Sequence, residues 1–125
     1  MFKKLSIEGT RKTPTVLLDP EGIISIHGRS IPEDASIFFR EVMEWIDMYL
    51  TVPQDQTRID IALEYLNSGT SKYVLQLLKK LRDLNHNGHK LIVNWYYEEG
   101  DDDILERGEY YSSILDLKIN YIETE

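Results

Sequence analysis

Between Arg58 and Tyr97 the apolar residues change period twice, and that change constrains the fold more than any other feature. In "RIDIALEYL", Ile59, Ile61, Leu63 and Tyr65 alternate with Asp60, Ala62 and Glu64, the two-residue period of a strand with one wetter face. In "SKYVLQLLKKLRDLNHNG", Val74, Leu77, Leu78, Leu81 and Leu84 recur at helical spacing, with Gly88 as the stop. "KLIVNWYY" then reads as a strand continuous enough to be central. Strand, helix and strand in this order call for a crossover connection, hence parallel pairing with the helix packed on the sheet.

The flanking segments extend the pattern. "TVLLDPEGIISIHG" predicts a hairpin turning at Asp19-Pro20-Glu21-Gly22, with the second strand ending at Gly28. "SIPEDASIFFREVMEWIDMYL" predicts a helix opened by a Ser30/Glu33 capping box, with Pro32 in its first turn. Its core face is Phe38, Val42, Trp45, Ile46 and Tyr49. "DILERGEYYSSIL" predicts a third helix and "LKINYIE" a final edge strand, with "LSI" as a further candidate edge. The expected order is β-β-α-β-α-β-α-β, and residues 1–125 read as a single α/β domain with a mostly parallel or mixed sheet.

Charge narrows the function. The net charge is −8. Such a field repels phosphate backbones and anionic lipid, so neither nucleic acid nor a membrane is the expected partner. The chain has no cysteine, which excludes disulfides, thiol catalysis and Cys-ligated zinc. "MFKKLSIEGTRKTP" lacks the apolar run of a secretory signal, and the expected location is cytoplasmic.

Catalytic motifs are absent. His27, His86 and His89 do not have the spacing of a helical zinc site, and neither a nucleophile elbow nor a phosphate-binding glycine loop occurs. No cofactor is expected. Glu98, Glu99, Asp101, Asp102 and Asp103 could hold a hard cation, and with His89 they define one alternative, a metal-binding enzyme. They equally suit the start of the third helix, where carboxylates meet the positive end of the dipole. Trp95, Tyr96, Tyr97, Tyr110 and Tyr111 divide between core and surface, without the interleaved cations that single-strand stacking requires.

"YLNSGTSK" carries more hydroxyls than a helix cap needs. Ser68, Thr70 and Ser71 surround Gly69 at the strand–helix junction. One would suffice as a cap, contributing about 1 kcal/mol. The surplus leaves a second use open. A helix N-terminus offers free N–H groups and tolerates an added phosphate, and loops at the carboxyl ends of strands are where open α/β sheets place their function.

At these residues the chain resembles a known family, the SiaC-like bacterial regulatory phosphoproteins. Their fold is similar to the STAS domain of anti-sigma-factor antagonists. The resemblance runs through "GTRKTPTVLLDPEGIISIHGRSIPED", "FFREVMEWIDMYL", "LEYLNSGTSK" and "VNWYYEEGDDDILERGE". It implies that the hydroxyl residue directly after Asn67, which is Ser68, is the phosphoacceptor, with Thr70 the second candidate. The family commonly has another small hydroxyl residue where this chain has Gly69, and Lys72 closes the motif. The resemblance further implies a non-enzymatic switch. A serine/threonine protein kinase would phosphorylate it and a PP2C-like phosphatase would reverse this. The unmodified form would bind and activate a diguanylate cyclase through Asn67, Ser68, Gly69, Thr70, Ser71 and Lys72, raising cyclic di-GMP and promoting biofilm. A ligand-binding STAS-like module is the remaining alternative, marked by an apolar cavity. Ser68 is expected at or beside the N-cap of the second helix with its hydroxyl accessible, and Ser71 or Thr70 as the cap.

Overall fold

The computed structural model describes residues 3–125. Its elements are β1 (Leu5–Ile7), β2 (Thr15–Asp19), β3 (Ile23–Ser30), α1 (Ala35–Tyr49), β4 (Gln56–Leu66), α2 (Ser68–His86), β5 (Lys90–Glu98), α3 (Asp102–Leu115) and β6 (Asn120–Thr124). The expected order holds, with "LSI" added as a first strand. The six strands form one sheet in chain order. β1, β2 and β3 pair antiparallel. β3, β4, β5 and β6 pair parallel, each joined to the next through a helix.

Strands in chain order, with each crossover made in the same sense, bring all the helices to one face. The register agrees. Val16, Ile26, Ile61 and Trp95 lie side by side across the sheet, as do Leu18, Ile24, Ile59 and Val93, and all are buried. The helices bury Val42, Ile46, Val74, Leu77, Leu81 and Tyr111 in the same cluster. The opposite face is more polar. Across it Asn120 Nδ2 donates to Asn94 Oδ1 at 3.1 Å, Asn94 Nδ2 to Asp60 Oδ1 at 2.8 Å, and Arg58 Nε to Asp60 Oδ2 at 3.1 Å. This ladder accounts for the wetter side of the 59–65 alternation.

Three boundaries differ from the sequence reading. β3 passes through Gly28, whose φ of 111° only glycine adopts freely, and its register with β4 shifts between Gly28 and Arg29. Leu63 pairs with Gly28 and Tyr65 with Arg29, so Glu64 is an extra residue that reverses the phase of β4. Tyr65 therefore points outward at 55% exposure, and Leu66 takes the core position.

α1 begins at Ala35, capped by Asp34 and not by Ser30. Ser30 still belongs to β3 and is fully buried. With the start moved, Phe39 becomes the buried residue and Phe38 only flanks the core. Asp34 Oδ1 accepts from Ser36 Oγ at 2.5 Å, from Ser36 N–H at 3.0 Å and from Ile37 N–H at 3.3 Å. The Ser36 hydroxyl, then the Ile37 N–H, hold the Asp34 carboxyl below its ordinary value. A carboxylate depressed on folding stabilises above its unfolded pKa, and that contribution is lost as pH falls through the folded value. In acid unfolding below about pH 4, Asp34→Asn, which caps without titrating, should lose less stability than the native chain.

The third difference is the start of α2. The helix begins at Ser68, three residues ahead of the predicted run, and neither Ser71 nor Thr70 caps it.

Candidate functional site

The carboxyl ends of β3, β4 and β5 deliver three loops to one edge of the sheet, and α2 starts between the other two helices. Asn67 is its N-cap, and Asn67 Oδ1 accepts the Thr70 N–H at 2.9 Å. Its Nδ2 donates to Pro32 O at 3.1 Å, and its own N–H donates to Ser30 O at 3.0 Å. The cap thus also ties α2 to the β3–α1 loop.

Each hydroxyl of the motif has a distinct setting. Thr70 is fully buried. Its O–H donates to Ser30 O at 3.1 Å, leaving the Ser30 hydroxyl to donate to Thr70 Oγ1 at 2.7 Å. Ser71 turns toward α3. Its hydroxyl bonds Tyr111 Oη, Tyr111 donates to Ser71 O at 3.1 Å, and Arg107 Nη1 donates to Ser71 Oγ at 3.0 Å. Ser68 is exposed at the first helical position, and so is Lys72 one turn later. No intrahelical carbonyl is available to the N–H groups of Ser68 and Gly69. Capping therefore falls to Asn67, anchoring to Thr70 and Ser71, and the Ser68 side chain faces solvent at the positive end of α2.

Gly69 is set by packing. A Cβ there would lie 3.0 Å from Ala35 Cβ, so α1 and α2 approach closely at their N-termini. A larger residue at 69 requires the start of α1 to give by a few tenths of an ångström.

The buried Ser30–Thr70 pair makes a stability prediction. Thr70→Val preserves shape but leaves the Ser30 hydroxyl without its acceptor, at a cost of about 1–3 kcal/mol. Chemical denaturation of the two proteins checks it, and equal midpoints would show that the pair adds nothing.

α3 supplies the other wall. Asp101 is its N-cap, accepting the Ile104 N–H at 3.1 Å, and Asp102 and Asp103 fill the first turn, as the capping reading expects. His89 lies apart from this turn, with Nδ1 3.0 Å from Gln54 O. Beside the start of α2 an open groove is lined by Glu64, Tyr65, Leu66, Glu106, Arg107 and Tyr110. Tyr110 is 59% exposed, while Tyr111 is buried and meets Trp95 edge-to-face at 5.7 Å.

The sequence motif does not include Arg107 or Tyr111, which reach Ser71 only through the fold, or Tyr110, which lines the groove. One signal was available. Arg107 is the single cation between Lys90 and Lys118, and it stands four residues before Tyr111 on one helix face.

The fold is a one-faced α/β sheet that presents an accessible hydroxyl at a helix N-terminus, an arrangement suited to a regulatory module. Comparison with known proteins gives the particular family. Residues 7–124 match the family described as SiaC family regulatory phosphoprotein, and the chain belongs to that family. Among its relatives is an uncharacterized protein of Pseudomonas aeruginosa (strain UCBPP-PA14), 29% identical over 108 residues, or 86% of each chain. A chain in the crystal structure of the diguanylate cyclase SiaD in complex with its activator SiaC, from Pseudomonas aeruginosa, is 26% identical. It superposes with a TM-score of 0.89 over 96% of this chain and 99% of that one. SiaC of Pseudomonas aeruginosa solved separately is 25% identical, with a TM-score of 0.85 over 98% and 100% of the two chains. Among the described residues, no helix is long and apolar enough to cross a membrane.

Proposed function

We propose that this chain is a cytoplasmic, non-enzymatic switch in which phosphorylation of Ser68 decides whether a diguanylate cyclase is bound. Unmodified, it docks the cyclase and raises its activity. A serine/threonine protein kinase transfers the γ-phosphoryl group of ATP to Ser68 Oγ, which loses its proton, and ADP leaves. A PP2C-like phosphatase hydrolyses the ester, releasing inorganic phosphate and restoring the serine.

The observation that carries this reading is the division of labour at the helix start. Asn67 caps α2, so the exposed Ser68 hydroxyl has no structural duty and can be modified without unfolding the helix. Thr70 is buried and bonded to Ser30, which supports Ser68 over Thr70 as the phosphoacceptor. The family's description as phosphoproteins and the cyclase complex of a similar chain support the same reading.

The docking patch is the accessible part of Asn67 to Lys72, without Thr70, which the resemblance places in it but which is buried against Ser30, together with the outward residues beside it. Phosphate at Ser68 buries no apolar surface. It places about −1.5 to −2 charge inside the contact, and a partner is displaced by repulsion and by the cost of desolvating the phosphate. No refolding is required.

Phosphosite mapping of the chain purified from its native cell tests the assignment. Phosphate on Ser68 is expected. Modification confined to another residue, or none under conditions that change partner occupancy, would overturn it.

A further inference from the structure

We propose that Arg107 receives the phosphoryl group on Ser68, so that the modified chain clamps its own phosphate between α2 and α3. This rests on the reading of Ser68 as the phosphoacceptor.

The clamp begins from an odd pairing. Arg107 sits among the carboxylates of an acidic helix, yet the ion pairs among the described residues are Lys4–Asp19, Arg58–Asp60 and Lys80–Asp47. Arg107 instead spends a donor on a neutral hydroxyl, Ser71 Oγ, at 3.0 Å. Ser71 lies three residues after Ser68, and such neighbours stand about 5–6 Å apart between Cβ atoms. Side chains on a helix lean toward its N-terminus, so a guanidinium resting on the Ser71 hydroxyl is directed at the turn that carries Ser68.

The chemistry favours transfer of that guanidinium to a phosphate. Arginine has five N–H donors in a planar fork, and one of them is placed on Ser71. A charge-assisted, bidentate pair with phosphate is roughly twice as strong per hydrogen bond as a neutral one. Lys72, exposed four residues after Ser68, adds a second cation on the same helix face. Glu64, Asp103 and Glu106 line the groove with Arg107 and oppose the phosphate, so they set the baseline against which the clamp acts. Closing the clamp has two consequences. It takes up two cations that the unmodified patch offers a partner, and it shields the phosphoester from water.

The test installs phosphoserine at position 68 during translation, in the native chain and in Arg107→Gln and Arg107→Lys. Phosphorus NMR then follows the second ionisation of the phosphate. A nearby cation favours the dianion. The pKa should therefore lie about one unit lower in the native chain than in Arg107→Gln. Arg107→Lys, which keeps the charge and loses the fork, should fall between them. Identical titrations in the three proteins would overturn the clamp. Should Arg107→Gln fail to fold, the Arg107 side-chain nitrogen resonances of the native chain decide. They are expected to shift and gain protection from exchange on phosphorylation, and unmoved resonances would overturn the proposal. Because the phosphate is installed directly, absence of phosphoserine 68 in cells sinks the functional reading alone, and an unmoved titration sinks the clamp alone.

Discussion

Trp95→Ala should lower stability by about 3–5 kcal/mol, the range for removing a buried tryptophan, and should loosen α3 before the rest of the domain. Trp95 is 1% exposed at the centre of β5, and it holds α3 in three ways. Its Nε1–H donates to Ile104 O at 2.9 Å. Its ring meets the edge of Tyr111. Its face lies so close beneath Gly108 that a Cβ there would come within 2.8 Å of the indole. The residue that weakens the helix pattern in the sequence is thus the one that lets the helix seat. Truncating the indole leaves a cavity under α3 and removes the side-chain bond that ties the Ile104 carbonyl to β5. Because α3 carries Arg107 and Tyr111 to Ser71, the loss reaches the start of α2. Amide exchange should show α3 opening at lower free energy than β4. Uniform exchange across the two elements would contradict this account of how the helix is held.

The larger functional effect belongs to Ser68. Ser68→Ala should bind the cyclase as the native chain does, since the hydroxyl neither caps α2 nor packs in the core. Ser68→Asp should weaken binding by about tenfold, which corresponds to about 1.4 kcal/mol. Its single charge and two oxygens imitate phosphate only in part. Phosphoserine, with roughly −1.5 to −2 charge and three oxygens, should weaken binding more than a hundredfold, and about 3 kcal/mol suffices for that. Equal affinity of Ser68→Ala and Ser68→Asp, both folded, would remove Ser68 from the contact.

Much of the fold was legible because the period of the apolar residues follows the backbone. The switch from alternation at 59–65 to helical spacing at 74–84 and then to a continuous strand-like run at 90–97 calls for a parallel crossover, and the hairpin at Asp19–Gly22 follows from turn chemistry. What was not legible depends on pairing between distant residues. Glu64 becomes an extra residue only because β4 runs beside Gly28 and Arg29, and that single insertion turns Tyr65 outward. Ser30 and Glu33 satisfy the local rules of a capping box, yet the sheet claims Ser30 to bond Thr70, and Asp34 takes the cap. Asn67 is likewise an acceptable cap on its own terms, but three hydroxyls beside it compete for that role in the sequence, and only the fold distributes them. Arg107 meets Ser71 across 36 positions, a contact that no local pattern contains. The assignment of Ser68 came from the family resemblance. The accessible, duty-free setting of its hydroxyl came from the structure.

The central claim is that one phosphate on Ser68 separates a binding form from a non-binding form of the same fold. A calorimetric titration of the diguanylate cyclase partner with two preparations of the chain, unmodified and carrying phosphoserine at 68, tests it most directly. The account predicts tight binding by the first and an affinity more than about a hundredfold weaker for the second, with superimposable amide spectra away from α2 and α3. Equal affinities of the two preparations, or a phosphorylated chain that has lost its fold, would contradict it.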